Sequence, residues 1–276
     1  MIFIFKKWDF FCRKLAEKGM LSIQIGEITD SLSSFISLKH DVETDVKKAL
    51  RLAQIEHKYG HRGTYYVQAY LLKNHYNIEM LREMQQMGHE ISYHYDVMDS
   101  CRGVLEKAIQ EFNSNVFLFE KNGFKVKTVC QHGNPVIQRV GYSSNRDFFR
   151  SERVRHLYPN VCDVMVNLKS DIPTEFDYYS DAGRVFKRIY DPLNNDVVNS
   201  DDKNVPYKDL SALLEALNYQ NGNIISTHPH RWCRSGLIYL TKAYTFKTIR
   251  ATAKFAANNP LAKRIMNRYY YLAKKF

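Results

Sequence analysis

Disulfide chemistry is the first thing this sequence lacks the means to build. Its five cysteines (Cys12, Cys101, Cys130, Cys162 and Cys233) are odd in number, scattered and free of any CxxC spacing. That excludes a secreted disulfide scaffold, and reduced thiols are expected. Long apolar runs are missing too. Met1-Ile2-Phe3-Ile4-Phe5 is stopped at once by Lys6 and Lys7, and no later stretch approaches the ~18–20 apolar residues that span a bilayer. The opening run has its charges after it rather than before it, and no small-residue cleavage site follows, so it does not read as a signal peptide. A cytoplasmic protein is expected. Gly-Ser linkers, internal repeats and low-complexity tracts are absent as well, so residues 1–276 are expected to form one domain.

Acidic residues run out at Glu215. Residues 216–276 hold eleven Lys or Arg and no Asp or Glu, while residues 1–215 carry 29 of each sign, so the whole net charge of +11 falls at the C-terminal end. Such an end suits phosphates, whether of anionic lipid headgroups, of a pyrophosphate-linked substrate or of nucleic acid. The plainer reading is a solvated basic face with no partner. No nucleic-acid recognition motif accompanies the charge, which sets that partner aside. Residues 239–276 read as a basic helical extension broken at Asn259-Pro260. The part to 258 is expected to pack on the barrel wall. In 261–276, an apolar stripe of Leu261, Ile265, Leu272 and Phe276 beside Lys263, Arg264, Arg268, Lys274 and Lys275 suits an anionic membrane surface on the cytoplasmic side.

What is present in quantity is core material, with 45% hydrophobic and 13% aromatic residues. Short apolar runs alternate with helical periods, the pattern of βα units. Phe35–Leu38 reads as a strand leading into Lys39-His40-Asp41, and Val46, Leu50, Ala53 and Ile55 as a helix closed by Gly60. Strands follow at 64–68, 89–95 and 126–130, with helices at 78–87 and 103–119 between them. Residues 146–159 read as basic and irregular, 164–168 and 176–179 as strands, and 193–209 as a polar loop. Leu210–Leu217 is a helix and Ile224–Thr227 the last strand. The fold class expected is α/β, a distorted (β/α) barrel of about seven strands.

Reactive residue types collect at the strand ends. Asp41 and Glu43 close the first strand, His94 the third, His132 the fourth and His228 the last. In a parallel barrel the C-terminal strand ends form one face, where catalytic groups gather. Asp41 and Glu43, two apart in an extended chain, point the same way. Carboxylates with two or three imidazoles suit a divalent metal of the zinc kind and also supply a proton shuttle. Any one of these histidines alone would read as structural. Several of them placed by one topology point to a site. The 19 tyrosines read mainly as core and rim residues. Trp232 and His230 fit a sugar subsite and barrel packing equally well.

Four segments then resemble a known family. Ser37-Leu38-Lys39-His40-Asp41-Val42-Glu43, Gly63-Thr64-Tyr65-Tyr66-Val67, Gly88-His89-Glu90-Ile91-Ser92-Tyr93-His94 and Ile225-Ser226-Thr227-His228-Pro229 are similar to consecutive motifs of the NodB-type polysaccharide deacetylases (carbohydrate esterase family 4). The resemblance spans roughly residues 35–232. It implies a hydrolase that removes N-acetyl groups from amino sugars, with Asp41 as catalytic base and Glu43 and His94 as metal ligands. His228 would protonate the leaving amine, supported by Asp181, and His89 would be structural. Three departures stand out. Met98 occupies the place of the family's second metal histidine, Glu43 is one methylene longer than the usual aspartate, and no fourth-strand arginine orients the base. A third ligand could come from His132, from His40 or from nowhere; His132 is the nearest imidazole expected on the same face. The expected substrate is an amino-sugar glycan precursor of a surface polysaccharide, nucleotide-linked or lipid-linked, with Arg231 and Arg234 near its phosphate. Two rivals keep the barrel: a glycan binder without metal, and a metal-independent cyclic-amide hydrolase.

Overall fold

The computed structural model describes residues 2–134, 137–172, 175–189, 206–242 and 244–245. Most of the polar loop expected at 193–209, and the helical extension beyond 245, lie outside the described residues.

Among the described residues, eight strands make one sheet: β1 (Phe35–Val42), β2 (Gly63–Val67), β3 (Glu90–Tyr95), β4 (Thr128–Gln131), β5 (Cys162–Asp163), β6 (Phe176–Ser180), β7 (Lys187–Ile189) and β8 (Gly222–Thr227). Their order is β5-β4-β3-β2-β1-β8-β6-β7. Every pairing is parallel except β6 with β7. The sheet curls into a half-barrel with helices outside it, the expected α/β class with one strand more. Every residue of β1, β2, β3 and β8 is buried, because a parallel sheet with both faces covered leaves no wet side. Their apolar residues mark them in the sequence, and the polar ones among them, such as Lys39, His40, Glu90 and Asn223, are buried with partners.

The helices are α1 (Phe5–Glu17), α2 (Val46–Lys58), α3 (His75–Gln86), α4 (Val97–Ser100), α5 (Leu105–Lys121), α6 (Asp147–Arg150), α7 (Glu152–Leu157), α8 (Leu168–Asp171) and α9 (Leu210–Ala216). Side-chain oxygens of Asp45, Asn74 and Asp209 cap α2, α3 and α9 by accepting backbone N–H bonds, which fixes where each helix starts. Helix α1 was not anticipated. It buries Trp8, Phe11, Cys12 and Leu15, spaced as one helical face, and Trp8 packs edge-on to Trp232 at 5.0 Å. Two further differences are local. Residues 146–159 contain α6 and α7, which bury Phe148, Phe149 and Val154. Residues 164–168, expected as a strand, form a turn leading into α8. There Asp163 Oδ1 accepts the Met165 N–H at 2.7 Å, a side-chain-to-backbone bond that competes with strand pairing.

One buried carboxylate joins the outer layer to the sheet. Glu56 on α2 accepts from Trp8 Nε1 at 2.9 Å and Tyr65 Oη at 2.8 Å, and His40 Nε2 lies 2.9 Å from it. Because side chains alternate along β1, His40 points toward α1 and α2 while Lys39 and Asp41 point into the curl.

Candidate active site

The strand order sets the site. With β1 between β2 and β8, and β3 one strand beyond β2, the C-terminal ends of β1, β3, β4 and β8 open on one face. Asp41 sits in the last turn of the pleat of β1, and Glu43 follows directly after the strand. His228 follows β8, with Nε2 at 4.0 Å from Asp41 Oδ2 and 3.8 Å from Glu43 Oε1. Asp41, His94 and His132 are 7%, 2% and 3% exposed, so water reaches the group mainly past Glu43 and His228.

His94 is held by its neighbour strand. Its Nδ1 donates to the Cys130 carbonyl at 3.0 Å, which leaves Nε2 as the ring atom with a lone pair. Burial pushes its pKa down to about 3 against the pull of Asp41, so the ring is neutral near pH 7, as a metal ligand must be. His132 is placed by backbone. Its N–H donates to the Tyr95 carbonyl at 2.7 Å, extending the β3–β4 pairing by one residue. The His132 carbonyl accepts from Asn145 Nδ2 at 2.8 Å. The two imidazoles cross at 5.2 Å between centroids, and His132 Nε2 is 3.2 Å from Glu43 Oε1.

Glu43, His94 and His132 each put a donor atom within 4.8 Å of the other two. Two imidazole nitrogens and a carboxylate are the donor set of a catalytic zinc-type ion, which keeps a fourth position for water or substrate. Asp41, His94 and Cys130 meet the same spacing. That set fits poorly, because both Asp41 oxygens are engaged by Lys39 Nζ, at 2.5 and 2.7 Å. The Cys130 thiol is also pushed well above its usual pKa by burial, which keeps it from the thiolate form that binds metal.

His228 has its own support. Asp181, fully buried after β6, accepts from His228 Nδ1 at 2.6 Å, from the His228 N–H at 3.0 Å and from Thr227 Oγ1 at 2.7 Å. Arg231 Nη1 donates to Asp181 Oδ1 at 2.6 Å and also to the Asp181 carbonyl. Burial would raise the Asp181 pKa. The charge of Arg231, and then that of His228, instead hold it well below the ordinary carboxylate value. The carboxylate therefore stays ionised and fixes the His228 ring with Nε2 facing Asp41.

The structure thus brings Asp41, Glu43, His94, His132, His228 and Asp181 into one cluster. Two sequence readings are set aside, and a third residue is located. His40, an alternative third ligand, lies on the opposite face of β1 with Glu56, because it is one residue out of phase with Asp41. Arg231 was expected beside a substrate phosphate, and it is committed to Asp181. Met98 is 5% exposed within the apolar cluster that includes Val97 and Tyr95, where it fills core space. Lys39 and Ser226 were missed as site residues. The signal was available for Lys39: a lysine two residues before Asp41 in the same strand must face the same way.

No known family profile matches this chain, and no curated protein does. Among solved structures, peptidoglycan deacetylase PdaC from Bacillus subtilis is similar at 14% identity and a TM-score of 0.37. A single-residue mutant of that protein gives 13% and 0.38. Each comparison covers 82% of this chain and 99% of the other. A likeness this slight fixes no chemistry.

Proposed function

We propose that this chain is a metal-dependent amide hydrolase that removes N-acetyl groups from an amino sugar. The observation that carries the reading is one cluster holding an ionised carboxylate, Asp41, 4.0 Å from an imidazole, His228, that a buried carboxylate orients. Beside them stand two imidazoles and a second carboxylate at metal-binding spacing. Glu43, His94 and His132 would hold the ion. A bound divalent cation of the zinc kind supplies carbonyl polarisation and a more acidic water.

The chain's own groups perform the proton transfers. As the water oxygen bonds to the acetamide carbon, Asp41 takes the water proton. As the C–N bond breaks, His228 gives its Nε2 proton to the departing amine nitrogen. Acetate and a free amine result. Asp181 keeps Nδ1 protonated, so the proton available for donation is the one on Nε2. The substrate class we favour is a nucleotide- or lipid-linked amino sugar of a surface polysaccharide, since the net charge of +11 suits a phosphate-bearing carrier.

The test is acetate release by zinc-supplemented protein from N-acetylglucosamine oligomers and from nucleotide-linked N-acetylhexosamines. Release should fall by on the order of 100-fold or more in Asp41→Asn and in His228→Ala, the usual range for a lost acid or base. Release that both variants retain, or none from wild type on either substrate class, would overturn the reading.

A further inference from the structure

Lys39 is a buried cation whose only role in packing would be a costly one. It is 1% exposed on the central strand, and an ammonium there needs an acceptor for each of its three N–H groups. Asp41 Oδ1 at 2.5 Å, Asp41 Oδ2 at 2.7 Å and Ser226 Oγ at 3.3 Å are the three acceptors. The Tyr66 ring closes the remaining side, with its centroid 5.4 Å from Nζ. Two of these contacts hold the Asp41 carboxylate, the Cys130 sulfur also meets the ammonium, and Asp41 Oδ2 stands 4.0 Å from His228 Nε2.

We propose that Lys39 is a positioning residue for Asp41, and this rests on the deacetylase reading above. It does two things. Its charge balances a second carboxylate in a cluster that already holds Glu43. Its two short bonds also keep the Asp41 oxygens away from the metal position, so that Asp41 acts as a base while Glu43 ligates. Asp41, His94 and Cys130 could otherwise form a competing donor set, and Lys39 occupies the oxygens that set would need. Ser226, from β8, serves as the third anchor that fixes the Nζ position.

Lys39→Met and Lys39→Arg test the proposal. Lys39→Met keeps the aliphatic stem and removes all three donors; Lys39→Arg keeps the charge and a two-pronged grip on a carboxylate. The first readout is turnover in acetate release. Lys39→Met should lose on the order of 100-fold in kcat with KM little changed, the size of a misplaced general base, while Lys39→Arg recovers at least a tenth of wild-type kcat. The second readout does not depend on activity: crystal structures of zinc-loaded wild type and Lys39→Met. Wild type should show Asp41 on Lys39 and off the zinc, and Lys39→Met should show an Asp41 oxygen on the zinc. If Lys39→Met does not fold, Ser226→Ala replaces it and should give a smaller kcat loss of the same kind. Wild-type kcat in a folded Lys39→Met, or Asp41 ligating zinc in wild type, would overturn the proposal. Absence of acetate release from wild type with the expected zinc ligation in both crystals would instead fault the deacetylase reading alone.

Discussion

Replacing Asp181 with Asn sets an amide nitrogen where four donors now converge. His228 Nδ1, the His228 N–H, Thr227 Oγ1 and Arg231 Nη1 all point at this carboxylate, and an amide can accept on one side only. Asp181 is 0% exposed and the Arg231 side chain 16%, so the substitution leaves a mostly buried guanidinium without its counter-charge. Breaking a buried pair by removing one partner costs about 3–5 kcal/mol. At roughly 2–4 °C per kcal/mol for a chain of this size, the midpoint should fall by on the order of 10 °C.

The loss should also depend on pH, with a definite sign. The folded-state pKa of Asp181 is lowered from 3.8, with Arg231 and then His228 outweighing burial. Its contribution is therefore fully present above the unfolded value and is lost as pH falls through the folded one. Asn does not titrate. The part of the stability gap between wild type and Asp181→Asn that comes from the Asp181 charge should narrow as pH falls below about pH 4. Urea unfolding at a series of fixed pH values measures the gap directly. A gap under about 1 kcal/mol at neutral pH, the size of an exposed pair, would refute the burial argument. A gap that widens as pH falls below about 4 would refute the sign.

The zinc-ligand proposal separates the two histidines on opposite faces of the sheet. His132→Ala should lose stoichiometric zinc by elemental analysis, as should Glu43→Ala and His94→Ala, while His40→Ala should keep zinc and lose stability by disturbing the Glu56 cluster. Full occupancy in His132→Ala removes it from the ligand set. Gly63→Ala would place a Cβ 2.9 Å from both Glu56 Oε2 and the Leu38 carbonyl. Such overpacking costs about 1–3 kcal/mol, readable as a lower denaturation midpoint, and an unchanged midpoint would mean that β1 and α2 yield easily. For the basic C-terminus we propose an anionic membrane surface as partner. Truncation after Asn259 should abolish flotation with phosphatidylglycerol vesicles at low salt while leaving the far-UV spectrum folded. Full-length protein that ignores such vesicles ends that proposal.

How much of this was legible in the sequence follows from strand length and burial. β1, β2, β3 and β8 are five to eight residues long and wholly buried, so each left enough apolar and β-branched residues to be read as a strand, and the reactive residues at or just past their C-terminal ends could be placed on one face. β5 and β7 have two and three residues, too few for any period to show. Their positions come from pairing to β4 and β6, which is tertiary information. Helix α1 has a helical face in Trp8, Phe11, Cys12 and Leu15, but no side-chain cap marks its start, so the sequence carries no boundary signal for it.

The site was harder because its support is not sequential. Asp181 meets His228 across 47 residues and Arg231 across 50, and a basic residue near a histidine reads as a phosphate contact until its acid is seen. The family resemblance pointed to three places where expected groups were missing, and those gaps share one region of the structure. Met98 has moved into the apolar core. His132 stands beside Glu43, whose extra methylene lets its carboxylate come within 3.2 Å of that ring. Where the family's fourth-strand arginine would orient the base, the cation on Asp41 comes from Lys39 of the base's own strand. Each change is readable only with the others. On the proposed reading, Glu43 would hold the ion together with His94 and His132, and the Lys39 ammonium on both Asp41 oxygens would keep that carboxylate as the base. A sequence motif records residue types at fixed spacing, so it registers these as three losses, while the distances set His132 beside Glu43 and Lys39 on Asp41.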